Sequence, residues 1–177
     1  MNVGASSPED YGDYFAWGET SPKSVYSWST YKWCNGTNTT LTKYCANSSY
    51  GTVDNKTDLD PVDDAAYVNW GENWRMPTYA QQTELRTKCT WTWTTQNGVN
   101  GRLVTGPNGN SLFLPAAGVR YDSSLEEAGS CGGFWSRMLD YSNQDHAMDV
   151  VFSSSGVHGS SLNRHGGLPV RPVRIAQ

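Results

Sequence analysis

From His146 to Ser153 the chain alternates, with Met148, Val150 and Phe152 on one parity and Ala147, Asp149, Val151 and Ser153 on the other. A side-chain period of two fits a half-buried strand and does not fit a helix. Val150 and Phe152 are predicted to point inward, and Asp149, Val151 and Ser153 outward. The strand lies within a longer segment whose skeleton is sparse and regular. It reads Gly132, Trp135-Ser136, Ala147, Val150, Phe152, Ser154, Val157, Arg164, Gly167 and Val170-Arg171-Pro172-Val173. Between these posts stand Arg137, Met138, Asp140, Tyr141, Asp145, His146, Asp149, His158, Leu162 and His165, which include all three histidines of the chain. Most are expected on the outer strand face or in loops, Arg137 to Asp145 and Gly156 to Gly167. Recognition residues concentrate on loops held by a rigid scaffold, so a regular frame with assorted side chains suits a binding surface better than a catalytic site. Ordinary loops beside a wet strand face would give the same pattern.

The 177 residues suffice for one domain with a sizeable core. Aromatic residues are abundant, with 8 Trp and 10 Tyr, while Leu and Ile are sparse. Such composition suits a β-rich or α+β domain with few long helices. Net charge is -4 and no Lys/Arg run occurs, which excludes a nucleic-acid footprint. No apolar run reaches transmembrane length, so direct membrane insertion is not expected. The start, Met1-Asn2-Val3-Gly4, lacks the charged and apolar regions of a signal peptide. That leaves a cytoplasmic chain, or one whose leader is missing.

Tyr11 to Trp17 reads as a short aromatic strand. Ser21 to Gly51 is irregular and polar, with Trp28, Tyr31 and Trp33 pinning it to the body. Asp60-Pro61-Val62-Asp63 predicts a helix start capped by Asp60, running to Asn69 and ending before Gly71. Thr78 and Gln81 form a capping box for a second helix to Lys88, with Leu85 inward. Thr90 to Thr94, Arg102 to Thr105 and Ser111 to Leu114 predict a three-stranded meander. Its turns are placed at Asn97-Gly98, Asn100-Gly101 and Gly106 to Gly109. Strands at Phe134 to Ser136, Ala147 to Ser153 and Val170 to Ile175 follow, the last an edge because of Pro172. Helices followed by a run of strands make the fold class α+β.

Chemistry-bearing clusters are few. Asp54, Asp58, Asp60, Asp63 and Asp64 could offer calcium its oxygen ligands, but Leu59 and Ala65 break the EF-hand pattern and helix capping accounts for two of the five. No metal or other cofactor is expected. The histidines lie near serines, yet no nucleophile elbow or phosphate loop is present. Cys131 beside Gly132-Gly133 admits a reactive thiol, with an incidental cysteine favoured. Of Cys34, Cys45, Cys89 and Cys131, the first two flank one loop and could bridge locally, while the others could be free thiols. Trp70, Trp74 and Trp135 could stack on sugar rings, but framed rings are more often core. Sequons at Asn35, Asn38, Asn47 and Asn55 mark exposed loops.

Five stretches together carry a resemblance: Tyr11 to Glu19, Asp63 to Ala66, Trp74 to Thr78, Phe113 to Gly118 and Val170 to Val173. They are similar to gut-bacterial and phage domains with a C-type lectin fold, distant relatives of the formylglycine-generating enzyme, over nearly the whole chain. The resemblance implies one C-type lectin-like domain over residues 1–177, two short helices packed on small antiparallel sheets with long loops. Relatives carry an apolar segment before the position of Asn2, so a first strand is expected to be missing. Residues 132–173 resemble the variable region of diversity-generating retroelement proteins, in which a reverse transcriptase rewrites template adenines. The implied constant positions are Trp135, Ala147, Phe152, Arg164 and Val170 to Val173. The implied varied, ligand-binding positions are Arg137, Met138, Asp140, Tyr141, Asp145, His146, Asp149, Val151, His158, Ser160, Ser161, Leu162 and His165. The calcium-dependent sugar motifs of animal lectins are absent, and the paired catalytic cysteines of the enzyme are unmatched. The expectation is therefore a non-enzymatic receptor or adhesin at a cell surface, outside the cell or on a phage particle, with a protein or glycan partner. A formylglycine-type oxidase using Cys131 and a fixed, pilus-associated adhesin module are the alternatives.

Overall fold

The computed structural model describes residues 1–175. In chain order the elements are β1 (Tyr14–Phe15), α1 (Ala65–Trp70), β2 (Trp74–Arg75), α2 (Tyr79–Lys88), β3 (Thr90–Gln96), β4 (Val99–Thr105), β5 (Ser111–Pro115), β6 (Val119–Tyr121), β7 (Ser124–Glu126), β8 (Cys131–Leu139), β9 (His146–Ser153), β10 (Val157–Asn163), β11 (Leu168–Pro169) and β12 (Val173–Arg174). The architecture is α+β: two short helices and several small antiparallel sheets joined by long loops. The larger sheets have the orders β10-β9-β8 and β3-β4-β5, and β1-β11, β12-β2 and β6-β7 are two-stranded.

The β8–β10 sheet is the layer on which the molecule is organised. Phe134, Val150 and Phe152 point to one side and join Val104 and Leu114 of the meander, with Leu85 of α2 packed against them. Trp135, Leu139 and Ala147 point to the other and join Phe15, Trp17, Tyr44 and Val170. A sheet covered on both faces loses the simple inward–outward alternation. That is why Asp149, expected outward, is only 4% exposed, while Val150 and Phe152 point inward as expected. Gly132 lies across from Phe152 in the register, and a β-carbon there would collide with the Phe152 ring. The glycines after Cys131 thus have a packing reason.

Local sequence chemistry accounts for much of the rest. Thr78 and Gln81 exchange backbone and side-chain bonds as a capping box, with Gln81 N donating to Thr78 Oγ1 at 3.1 Å and Thr78 N to Gln81 Oε1 at 2.9 Å. Asn97 and Gly98 take positive φ (48° and 82°) and close the β3–β4 hairpin. Asn100-Gly101 is no second turn. Both residues lie in β4, because the hairpin has already closed, and a β-carbon at Gly101 would strike the Leu114 carbonyl and the Phe113 ring. The aromatic strand shrinks to two residues paired with β11. The last strand shrinks to β12, beyond Pro172, paired with β2. The Gly156 to Gly167 stretch is a loop only at its ends. Val157–Asn163 is β10, held by backbone pairing with β9 despite a sequence too polar to announce a strand. Arg137 and Met138 likewise belong to β8.

The helix predicted from Asp60 divides in two. Pro61–Asp63 is a single 3-10 turn, and α1 starts only at Ala65. Asp60 makes no capping bond. Its carboxylate instead pairs with Lys43 and Lys56, each at 2.7 Å. The cap is Asp64, whose Oδ1 accepts from Ala66 N at 2.9 Å and Tyr67 N at 3.1 Å. The same carboxylate accepts from Met76 N, which fastens β2 to the helix start. An extended backbone at Asp64 is what lets one side chain reach all three donors. Cys34 and Cys45 do not bridge. All four cysteines are free, and the Cys34 and Cys45 thiols lie 3.1 Å from the carbonyls of Trp28 and Asn47.

The long polar loops are tied down by one buried cation. Arg164 is fully buried. Its Nε donates to Tyr31 Oη at 3.0 Å, Nη1 to the carbonyls of Tyr44 at 3.0 Å and Gln144 at 3.2 Å, and Nη2 to the Lys43 carbonyl at 2.9 Å. The guanidinium also lies over the rings of Trp17 and Tyr31, 5.1 and 5.4 Å from their centroids.

Two stability predictions follow from these bonds. Arg164→Lys keeps the charge but not the planar fork, leaves buried acceptors unpaired, and should cost about 3 kcal/mol or more, roughly 10 °C in melting temperature. Asp64→Ala should cost about 2 kcal/mol and Asp60→Ala under about 1 kcal/mol, measured by urea denaturation. The reverse order would restore Asp60 as the cap.

Candidate ligand-binding face

Pairing in the β8–β10 sheet sets Val151 opposite His158, Asp149 opposite Ser160 and Ala147 opposite Leu162. Directly opposed residues share a face. Asp149, Val151, His158, Ser160 and Leu162 therefore lie on the Trp135 side of the sheet. The main core covers that face at the Ala147–Leu162 end, with Leu162 packed against it. Towards Val151 and His158 the face opens, and His158 is exposed.

The β6–β7 hairpin closes one border. Tyr121 and Leu162 both approach Gly166. His165 packs edge-on to Trp28 and Tyr121, with centroids at 4.7 and 5.7 Å. His165 Nδ1 lies 3.1 Å from the Tyr26 carbonyl, and burial lowers the imidazole pKa. It is held in the structure rather than presented by a free loop.

Asp149 forms the base of this face. One carboxylate oxygen is buried with no hydrogen-bond partner. Burial pushes its pKa up to about 7, although the Ser160 hydroxyl pulls it down. Its field adds to the burial that raises Tyr121 to about 12. Burial and Glu127 also raise the Cys131 thiol, which disfavours the thiolate a nucleophile needs.

The remaining candidate residues gather at the other end of the sheet. Tyr141 is 70% exposed, next to a polar recess lined by Ala46, Asn47, Ser48, Ser142 and Gln144. Asp140 accepts from Ser142 N at 3.0 Å and Ser142 Oγ at 2.8 Å, and hydroxyls of Ser142 and Ser161 help hold its carboxyl below the usual range despite partial burial. His146 Nδ1 lies 2.7 Å from Asp145 Oδ1, and Asn38 donates to Asp145 Oδ2 at 2.8 Å. Asp145, expected in an open loop, is 8% exposed because these partners and the Arg164 amide enclose it. Arg137 pairs with Asp58 at 3.2 Å, next to a bridge between Asp58 and Met138. Ser161 faces Met148 across the ladder, on the α2 side. Sequence reading passed over Tyr121 and Gln144. An Asp122-Ser123 turn between short β-prone stretches was the available signal for Tyr121. Gln144 bonds the distant Ala46 amide, which no local pattern encodes.

The acidic cluster is consumed by structure. Asp54 accepts the amides of Tyr44 and Cys45, and Asp63 accepts from Tyr44 Oη and Lys43 Nζ, each at 2.6 Å. No group of three or more His, Cys, Asp or Glu among the described residues is arranged to hold a metal ion. Trp135 is fully buried, and Trp70 and Trp74 pack edge-to-face at 4.9 Å. No described helix is long and apolar enough to cross a membrane. Comparison with protein-family models, curated proteins and solved structures finds no match for this chain.

A buried carboxyl with a raised pKa binds its proton more tightly in the folded than in the unfolded chain. Its contribution is therefore fully present below the unfolded value near 3.8 and is lost as pH rises towards about 7. Asp149→Asn should remove that loss. Its melting temperature relative to the parent should rise by roughly 5–10 °C between pH 5 and pH 8. A pH-independent difference would show that the carboxyl titrates normally.

Proposed function

We propose that this chain is a C-type lectin-like, non-enzymatic binding domain that displays a receptor- or adhesin-type face at a cell or phage surface. The observation that carries the reading is the division of labour in residues 132–173. Trp135, Ala147, Phe152, Arg164 and Val170 are at most 1% exposed and form the frame. His158 and Tyr141 are exposed, and Val151, Ser160, Arg137 and Met138 are half-buried around them. Such an arrangement lets side chains change while the core does not. It supports the retroelement reading for the exposed positions more than for Asp145 and Asp149, whose burial restricts substitution. Mixed Tyr, Arg, His and Met chemistry suits a protein or glycan partner. Burial and Glu127, which raise the Cys131 thiol, weigh against its use as an oxidase nucleophile.

Sequencing the DNA around the gene tests diversification. A near-copy of the codons for Gly132 to Val173, differing at adenines and beside a reverse-transcriptase gene, is the expected result. Its absence leaves a fixed adhesin. Binding is tested on glycan microarrays and phage-displayed peptide libraries. Alanine at Tyr141, Arg137 and His158 should weaken capture at least tenfold and shift the melting temperature by less than about 2 °C. A collapse in stability would return these residues to the fold and remove the binding face.

A further inference from the structure

Two loops remote in sequence meet at the polar recess beside Tyr141, and one buried side chain joins them. Gln144 is 3% exposed. Its Oε1 accepts from Ala46 N at 2.6 Å, and its Nε2 donates to the Tyr141 carbonyl at 3.0 Å. Both ends of the amide are engaged, so Gln144 braces the recess rather than holding a ligand. Each rim is also fixed within itself. Asn47 Oδ1 accepts from Ser49 N at 2.9 Å, and Asp140 Oδ1 accepts from Ser142 N and Ser142 Oγ. The recess is therefore formed before anything enters it, with a volume of about 330 Å³. Small-molecule sites span roughly 300–1,000 Å³.

Its wall is mostly polar, and Asn47, Ser48 and Ser142 are exposed. The bond from Ser49 N assigns the Asn47 amide and leaves its Nδ2 hydrogens free to donate. Ser48 Oγ makes no hydrogen bond among the described residues and can donate or accept. Ser142 Oγ donates to Asp140 and so presents its lone pairs. None of the residues lining the recess is charged. An anion would find no cation in the wall, and the Asp140 carboxylate behind Ser142 opposes it. The apolar contribution is an aromatic ring, Tyr141, 70% exposed at the rim. A pyranose has the matching chemistry, with hydroxyls around its edge and a C–H patch on one face that packs on an aromatic ring. A protein side chain used as an anchor seeks a desolvated apolar pocket instead. The cavity of about 170 Å³ beneath α2, between β5, β8 and β9, is walled almost wholly by apolar groups and lacks this donor set.

We propose that the recess between Ala46–Ser48 and Tyr141–Gln144 is a subsite for one neutral sugar ring, stacked on Tyr141 and hydrogen-bonded directly to Asn47, Ser48 and Ser142. The proposal rests on the binding-domain reading and commits its partner to a glycan. It also brings in a loop outside residues 132–173, so part of the contact is made by residues beyond the segment read as varied.

The intact chain is titrated by NMR, in EDTA, with the methyl α-glycosides of glucose, galactose, mannose and N-acetylglucosamine, and with glycerol as a ringless polyol. At least one glycoside should shift the Tyr141 ring and Asn47 side-chain amide signals, with a dissociation constant on the order of 1–10 mM, and glycerol should not. Tyr141→Ala should weaken that binding about tenfold, Tyr141→Phe by less than about threefold, and Ser48→Ala about threefold. These side chains are exposed, so the variants should melt with the parent. His158→Ala, at the far end of the sheet, should leave the affinity unchanged. The proposal is overturned if no glycoside shifts these signals at ~50 mM, if glycerol shifts them equally, or if His158→Ala weakens binding as much as Tyr141→Ala. Peptide capture that depends on Tyr141, Arg137 and His158 without any glycoside response would sink the sugar subsite and leave the binding face standing. Loss of both would remove the two readings together.

Discussion

The Arg164 guanidinium is the interaction on which the irregular half of this molecule depends. The Lys43 to Cys45 region has little regular structure to satisfy its backbone. A buried carbonyl still needs a donor. Arg164 supplies donors to the carbonyls of Lys43, Tyr44 and Gln144 and to the Tyr31 hydroxyl, while Trp17 and Tyr31 cover it. Its own backbone bonds Asp145 and Trp17. One side chain thus joins the early loops, the Asp140 to Asp145 loop and the main core. The cost of burying a charge is offset by four hydrogen bonds and aromatic contact.

The second organising constraint is the two-sided sheet. Phe134 and Trp135 are adjacent and both buried because each face has its own cluster to join. This places Asp149 in an apolar setting, yet leaves His158 and Val151 beyond the edge of the cover. The proposed binding face and the apolar cavity beneath α2 are consequences of the same layer, one on each side. Mutations at one should leave the other in place so long as the sheet itself persists.

Legibility tracked the range of the interaction. The Thr78–Gln81 capping box and the Asn97-Gly98 turn depend on residues within four positions, and both formed where they were expected. The expected cap, Asp60, was displaced by Asp64, although both precede apolar residues. The choice fell to Asp64 through Met76 N, twelve residues away. The β10 strand escaped notice because Gly159-Ser160-Ser161 lacks apolar alternation, and only the ladder with β9 defines it. Of the candidate site, Tyr141 and His158 were placed in the open as expected. Asp145 and Asp149 were not, because distant partners cover them.

The sequence by itself determined the α+β class, both helix regions, the meander and the inward direction of Val150 and Phe152. Those features follow from backbone propensity, capping and side-chain period, which act over a few residues. Only the tertiary structure decided which carboxylates are buried, that the cysteines stay apart, and that α2, β5, β8 and β9 enclose an apolar cavity between them. These depend on which elements cover which faces, and local periodicity carries no information about the cover.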